Sequence, residues 1–401
     1  MALDTFIELP SSKRNDSKLI DEDELLLIPG PTTLSSKVRA AMARPQQSHV
    51  APEFYNTFKE SLDLSRYLFC NTKGLQFLFT GSGTIGMESA AISLLEPGDR
   101  VLSIETGYFG HRFTMIAEIH GAKVDAIVTP LGKKADPDLV EKRLKSDKYK
   151  AVLFTHVDTS TSVMNDTYEL SQLAHNNGAF AVCDSVCGIG GAPLIFDSAG
   201  ADIVLTGSQK AIAAPPGATL LAVSNEAFSA MEKRKTAIAS YYMDLVRWKP
   251  IMDDPKIYLT TPAVQVMLGL HEALVEIKEE GIENRWRRHK ILANALQAGL
   301  EALELEPAAE VQSRAPTVTS FYTPPGRSAE IQETLRSEYG IHIARGFGEY
   351  KDTMLRIGHF GNFSATDVLS LLGALELVLT KSARPSPGKA IEVAEPLLRA
   401  A

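Results

Sequence analysis

The sequence predicts an α/β protein with a large domain, built on a mostly parallel sheet sandwiched by helices, and a smaller C-terminal α+β domain. Three observations carry that expectation. A chain of 401 residues exceeds what one ordinary hydrophobic core holds, so two domains are the natural division. Between Leu75 and Val223, short runs that are apolar on both faces alternate with helix-length patterns, as in a buried parallel sheet. After Gly281 the pattern changes to a long amphipathic helix followed by shorter mixed elements.

Taken in order, residues 1–24 lack periodicity and read as an N-terminal arm lying on another surface. Leu25-Leu26-Leu27-Ile28 then runs into Pro29-Gly30-Pro31-Thr32, an apolar entry closed by a rigid turn. Strands are expected over residues 77–79, 101–104, 151–154, 180–183, 203–205 and 219–223, with helices over 87–95, 113–120 and 168–176 between several of them. A helix over 263–280 closes a large domain spanning 25–280. The small domain, 281–383, opens with a helix over 282–305 that buries Ile282, Trp286, Leu292, Leu296, Leu300 and Leu303. Strands over 317–322, 341–344 and 354–357 and helices over 329–338 and 365–379 complete it, the last introduced by a capping box of Ser364 and Asp367. The stretch Arg384-Pro385-Ser386-Pro387-Gly388 ends compact structure, leaving 384–401 as a short tail.

Composition narrows the function classes. An apolar fraction of 44% with 22% charged residues is globular, and a formal net charge of −8 argues against nucleic acid or an anionic membrane as partner. The opening segment has no apolar stretch that would serve as a signal-peptide core, and no run is long enough to span a bilayer. Cys70, Cys183 and Cys187 form no CxxC pair and suggest a reducing compartment, so a cytoplasmic location is expected. His49, His111 and His156 do not share metal-ligand spacing, and no metal is expected.

Ligands of such sheets sit at the carboxyl ends of the strands, and three motifs fall there. Gly81-Ser82-Gly83-Thr84-Ile85-Gly86, between a strand and a helix, matches G-x-G-x-x-G, with Glu105 ending the next strand. Dinucleotide binding and a plain tight turn are both open readings; what they share is a phosphate site, where backbone amides approach an anion. Asp184 ends a strand and suits a cap, a metal ligand or the partner of a cationic ring. Lys210 follows the next strand in Thr206-Gly207-Ser208-Gln209-Lys210, with Pro215-Pro216-Gly217 fixing its loop; in a crevice its amine becomes a nucleophile. Phosphate cradle, strand-end aspartate and lysine together are the three parts that pyridoxal phosphate needs, for its phosphate, its ring nitrogen and its aldehyde.

The order and spacing of these motifs resemble the class V aminotransferases of fold type I, most of all the alanine–glyoxylate and serine–pyruvate branch. The resemblance runs from about Leu26 to Leu379. It rests on Leu27-Ile28-Pro29-Gly30-Pro31-Thr32, Gly81-Ser82-Gly83 with Glu88, Leu95-Glu96-Pro97-Gly98-Asp99, Asp184-Ser185-Val186 with Gly190-Gly191, Gly207-Ser208-Gln209-Lys210-Ala211 with Ala214-Pro215-Pro216-Gly217, and Leu355-Arg356-Ile357-Gly358. It implies that Lys210 holds pyridoxal phosphate and moves a proton, and that Asp184 pairs with the ring nitrogen. It further implies that Val186 and Phe109 pack on the two ring faces, Phe109 standing where this branch usually has tryptophan. Thr159 lies at a hydroxyl position near the ring oxygen, and Ser82, Gly83, Thr84 and Gln209 form the phosphate cradle. Tyr258 and Thr261 match residues that reach the phosphate from the neighbouring subunit, which makes the active site a property of a homodimer. Gly30 and Arg356 fall at the substrate, with Arg356 as the fork that grips its carboxylate.

Two rivals are weighed. A nicotinamide oxidoreductase leaves Asp184, Lys210 and Arg356 unexplained, and cysteine desulfurization needs a reactive cysteine in the later half, where the chain has none. Within aminotransferases, one anchoring arginine suits alanine or serine as donor and glyoxylate or pyruvate as acceptor. Arg112 or Arg345 as a second cation would admit aspartate or 2-aminoethylphosphonate, and relatives that act on pyridoxamine share most of the motifs.

Overall fold

Strands that are apolar on both faces need a layer on each side, and alternation along them decides which residue meets which layer. The computed structural model describes residues 24–380 and 388–399. Its centre is a seven-stranded sheet of β1 (Leu75–Thr80), β2 (Arg100–Glu105), β3 (Lys123–Val128), β4 (Ala151–Thr155), β5 (Phe180–Asp184), β6 (Ile203–Gly207) and β7 (Ala218–Val223). The order is β1-β7-β6-β5-β4-β2-β3; β7 is antiparallel to both neighbours and every other pair is parallel. Phe77, Phe79, Val101, Leu153, Ile203 and Leu205 face one core, whereas Leu78, Leu102, Val152, Phe154, Cys183 and Val204 face the other. The α/β expectation holds. The strand missing from it is β3, an edge strand whose one buried residue is Ile127, so its polar pattern hides it.

Helices α1 (Gly83–Leu94), α2 (Tyr108–Ile119) and α3 (Thr167–Asn176) follow β1, β2 and β4. The first two begin four residues or more before the apolar periodicity does, because their first turns are glycine-rich and face the strand ends rather than a core. Helix α4 (Val264–Glu280) ends at Gly281, whose φ of +82° breaks the helix, and α5 (Ile282–Ala302) begins beyond it.

The stripe expected on α5 divides between two cores. Ile282 and Trp286 pack on the sheet's core, while Leu292, Leu296 and Leu300 enter the C-terminal core. That second core is built by β8 (Val318–Tyr322), β9 (Ala344–Arg345) and β10 (Met354–Gly358), in the order β8-β10-β9, with α6 (Ser328–Tyr339) and α7 (Ala365–Thr380). The Ser364–Asp367 capping box forms as expected, each backbone N–H donating to the other's side chain at 2.8 and 3.3 Å.

Two segments depart from the sequence reading. Leu25–Leu26, assigned with the large domain, pairs in parallel with Ile341–His342, and Leu27 lies in the C-terminal core. The tail is not an appendage: α8 (Lys389–Leu398) buries Ala390, Ala394 and Leu398 against α5 and α7. The prolines that suggested a stop end before this helix starts, and its small residues let it approach closely. The arm, residues 1–23, and residues 381–387 and 400–401 lie outside the described residues.

Polar contacts at the start of α5 tie the two cores together. Arg285 pairs with Glu280 and donates to the carbonyl of Ala211 at 2.7 Å, while Arg288 pairs with the same carboxylate and donates to the carbonyl of Gly361 at 3.0 Å. Buried His289 donates from Nδ1 to the Arg285 carbonyl and accepts from the Gly361 amide at 2.9 Å, which requires the neutral ring that its burial also enforces. The loop after Lys210 is thereby fixed relative to the loop after Arg356.

Candidate active site

The carboxyl ends of β1, β4, β5 and β6 meet at one edge of the sheet. Ser82, Gly83, Thr84, Phe109, Thr159, Asp184, Val186, Gln209 and Lys210 line a single cavity of about 120 Å³ there. Nine of the predicted residues, from five separate stretches of chain, are therefore brought together. At its floor α1 presents first-turn amides that have no partner within the helix. Gly83 has to be glycine: a Cβ there would lie 2.6 Å from Val186 Cγ2. Gln209 turns towards the same end, and its buried Oε1 has no hydrogen-bond partner among the described residues.

Asp184 is buried at the end of β5 and accepts from the Val186 amide at 2.8 Å. Burial pushes its carboxyl up to about 7; the nearby Asp158 carboxylate adds to this, whereas Arg112 and Lys210 oppose it. A cation placed beside it would hold it ionised.

Asp158 was missed by the sequence reading, and its role is tertiary. One of its oxygens accepts from the amides of Phe109 and Gly110, both at 3.0 Å; the other accepts from the amide of Ser160 at 2.9 Å and from its hydroxyl. A buried carboxylate thus sits on the N-terminus of α2, the helix that carries Phe109 and Arg112, where backbone amides stabilise an anion. Burial raises its pKa while the four donors oppose the rise. Asp158→Asn would turn an amide group towards two N–H donors. We expect a loss of about 2–4 kcal/mol in unfolding free energy, measured by urea denaturation, from the donors left unsatisfied.

Lys210 follows β6, and its Nζ donates to the carbonyl of Pro29. Gly30 packs directly on the lysine: its φ is +88°, and a Cβ would lie 2.6 Å from Lys210 Cδ. Burial lowers the pKa of the amine, and the positive charges of Arg356 and Arg112 lower it further, against Cys187 and Asp184.

Arg356, in the middle of β10, is 7% exposed. Its Nε donates to the Arg345 carbonyl at 2.8 Å, its Nη1 reaches the Thr159 carbonyl at 3.4 Å, and its guanidinium carbon lies 4.1 Å from the centre of the Phe347 ring. Among the described residues it has no carboxylate partner, and burial lowers its pKa to about 10. The two other cations part company. Arg345 pairs with Asp352, whereas Arg112 lines the cavity, lies 4.7 Å from the Phe109 ring centre and donates to Thr84 Oγ1 at 3.4 Å.

Tyr258 and Thr261 do not join this cavity. They bond each other at 3.2 Å on a surface segment where Tyr258 is 62% exposed. Glu105, at the end of β2 after the G-x-G-x-x-G motif, is taken by Thr114 and His111 of α2. His156 lies buried beneath Asp184, its Nδ1 2.9 Å from Ser185 Oγ, and burial lowers its pKa to about 4.

Comparison with known proteins agrees with this geometry. The family model for aminotransferase class V matches residues 32–351. An alanine–glyoxylate aminotransferase of Oryctolagus cuniculus is 34% identical over 366 residues, 90% of this chain and 93% of that one. The crystal structure of ureidoglycine–glyoxylate aminotransferase from Bacillus subtilis superposes with a TM-score of 0.91 at 28% identity, covering 96% of this chain and all of that one. That of pyridoxamine–pyruvate aminotransferase from Mesorhizobium loti gives 0.89 at 28% identity, over 94% of this chain and 97% of that one.

Proposed function

The chain belongs to the class V aminotransferases, enzymes that work with pyridoxal phosphate, and from that premise we propose that it moves the amino group of alanine or serine to glyoxylate or pyruvate. The observation that carries the choice is Arg356, a buried guanidinium without a carboxylate partner among the described residues, set against the Phe347 ring while Arg345 is paired with Asp352. Such a fork suits one carboxylate and a short side chain.

The residues present fit the cofactor. Asp184 lacks a cation that a protonated ring nitrogen would provide, and the first turn of α1 presents amides that an anion would satisfy. In this reading Ser82, Gly83, Thr84 and Gln209 cradle the phosphate, Phe109 and Val186 hold the two faces of the ring, and Thr159 lies beside its oxygen. When bound, pyridoxal phosphate supplies a ring that absorbs negative charge developing on the substrate's α-carbon. Lys210 would hold the aldehyde, and its amine, when free, would take the proton from the substrate's α-carbon and later return one. Arg356 fixes the carboxylate so that the Cα–H bond points at that amine. Two such half-reactions, donor then acceptor, make a ping-pong cycle.

Tyr258 and Thr261, exposed and outside their own cavity, support a homodimer in which each subunit completes the other's phosphate site. Among the described residues no helix is long and apolar enough to cross a membrane, and the three cysteines are free thiols, in keeping with a cytoplasmic enzyme. Arg112, which lines the cavity, favours a second reading with aspartate or 2-aminoethylphosphonate as donor.

The experiment is a donor series of L-alanine, L-serine, L-aspartate, 2-aminoethylphosphonate and pyridoxamine, each paired with glyoxylate and with pyruvate. We expect kcat/KM for alanine or serine to exceed that for the dianionic donors at least about tenfold. Preference for aspartate or the phosphonate, lost in Arg112→Gln, would establish the second reading. Transfer from none of the five would overturn both.

A further inference from the structure

Phe347 lines a second cavity and meets Phe109, which lines the cofactor cavity. The second cavity has a volume of about 310 Å³ and is bordered by Phe347, Tyr108, Ser160, His111 and Thr129. Neighbours along the chain face opposite sides of the partition: Phe109 and Thr159 line the cofactor cavity, while Tyr108 and Ser160 line the second one. The Phe347 ring stacks on Tyr108 at 4.7 Å with an interplanar angle of 8°, and it meets Phe109 edge-on at 5.8 Å. The Arg356 guanidinium also lies 4.1 Å from its centre. The one ring therefore touches both the anchoring arginine and Tyr108, and of Phe347 and Arg356 it is Phe347 that lines the second cavity.

The backbone holds the ring in that place. Gly346 has no room for a side chain, since a Cβ would lie 2.3 Å from the Tyr350 carbonyl oxygen, and its amide donates to the Met354 carbonyl at 2.9 Å. Gly348 turns the chain at φ +53°, and the Phe347 carbonyl accepts from the Tyr350 amide at 3.0 Å. A residue bonded on both sides at a forced turn makes a fixed wall rather than a swinging lid.

We propose that Phe347 is the specificity-determining wall of the substrate pocket: it limits donors to short side chains by closing Arg356 off from the second cavity. The proposal rests on Arg356 acting as the carboxylate anchor. With the ring present, a substrate held on the fork meets an aromatic surface beyond its first side-chain carbons. With the ring removed, the space it vacates beside the second cavity would take a phenyl or unbranched alkyl group while the carboxylate stays in place. Burying a group of that size favours binding by one to two orders of magnitude.

The test uses the enzyme with pyridoxal phosphate bound and compares wild type, Phe347→Ala and Phe347→Leu. Isothermal titration with the unreactive carboxylates propionate and 3-phenylpropionate reads the pocket without chemistry, and kcat/KM for L-alanine and L-phenylalanine reads it with chemistry. Phe347→Ala is expected to shift both ratios towards the phenyl compound by about thirtyfold, most of it in binding and KM. Phe347→Leu, which keeps most of the packing, should shift them a few-fold and decides the matter if the alanine variant does not fold. A uniform loss for short and long compounds alike, or unchanged ratios, would overturn the proposal. Failure of the underlying reading looks different: wild type would then bind neither carboxylate more tightly than Arg356→Ala does.

Discussion

Lys210→Ala is expected to lower the rate of amino transfer by about four orders of magnitude or more, with every donor that the native enzyme accepts. The magnitude follows from two losses at one atom. The amine that holds the cofactor's aldehyde disappears, and so does the base at the substrate's α-carbon, a function worth about 10²–10⁴ by itself. Lys210→Arg separates chemistry from charge: it restores a cation at the end of β6 but cannot be deprotonated, so it should be as inactive as the alanine variant. Both variants should keep the far-ultraviolet dichroism of the native chain, because Lys210 makes its recorded hydrogen bond to the Pro29 carbonyl outside the sheet. The visible absorbance of lysine-bound pyridoxal phosphate should be lost in both. In the native enzyme, burial and the nearby arginines lower the amine's pKa below the ordinary 10.5. The deprotonated amine that reacts with an aldehyde is therefore favoured at lower pH than for a surface lysine, and in cofactor-free enzyme the rate at which added pyridoxal phosphate forms its visible band should rise with pH through that depressed value. Transfer in Lys210→Ala within tenfold of the native rate would remove this residue from the chemistry.

Strand ends were legible in the sequence because the large domain is built from short two-faced apolar runs, each stopping at a polar residue. Asp184 and Lys210 could be found by walking to the end of a run and asking what stands there. Partners made by tertiary approach could not. Asp158 is 49 residues from Phe109, and nothing in Val157-Asp158-Thr159-Ser160 signals that its carboxylate receives the amides of a helix from another part of the chain. Arg285, Arg288 and His289 fall in no motif, yet two of the three are buried and bind the loops that follow Lys210 and Arg356. Phe347, between two glycines, reads as a turn; only the fold sets it against Arg356. The helix at Lys389–Leu398 was hidden by the prolines that precede it in the sequence and by Pro396 within it, since each reads as a helix breaker. Tyr258 and Thr261 mark the limit from the other side: within their own chain they bond each other and lie outside the cavity, so only the proposed dimer would give them a place at the phosphate.

Arg356→Ala is expected to reduce kcat/KM for alanine by about 10²–10³, largely through KM, because a bidentate charge-assisted contact with the substrate carboxylate is lost. Arg356→Lys should recover little of this. A lysine restores the charge but neither the planar fork nor the contact now made at 4.1 Å with the Phe347 ring. A donor without a carboxylate separates an anchor from a strut: ethylamine, poor in all forms, should be no poorer in Arg356→Ala than in the native enzyme. Equal losses for alanine and ethylamine would show that the residue only supports β10. Stability should move the opposite way from activity. In the free enzyme the guanidinium is buried with carbonyl partners but no carboxylate among the described residues, so it bears a desolvation penalty that bound substrate relieves. Arg356→Leu should therefore raise the unfolding free energy of the substrate-free protein, by roughly 1–2 kcal/mol in urea denaturation, while abolishing the stabilisation that added propionate gives the native chain. A binding group held ready in this way keeps its interaction energy for the substrate, so the burial that costs stability in the free protein is what suits the residue to hold the carboxylate.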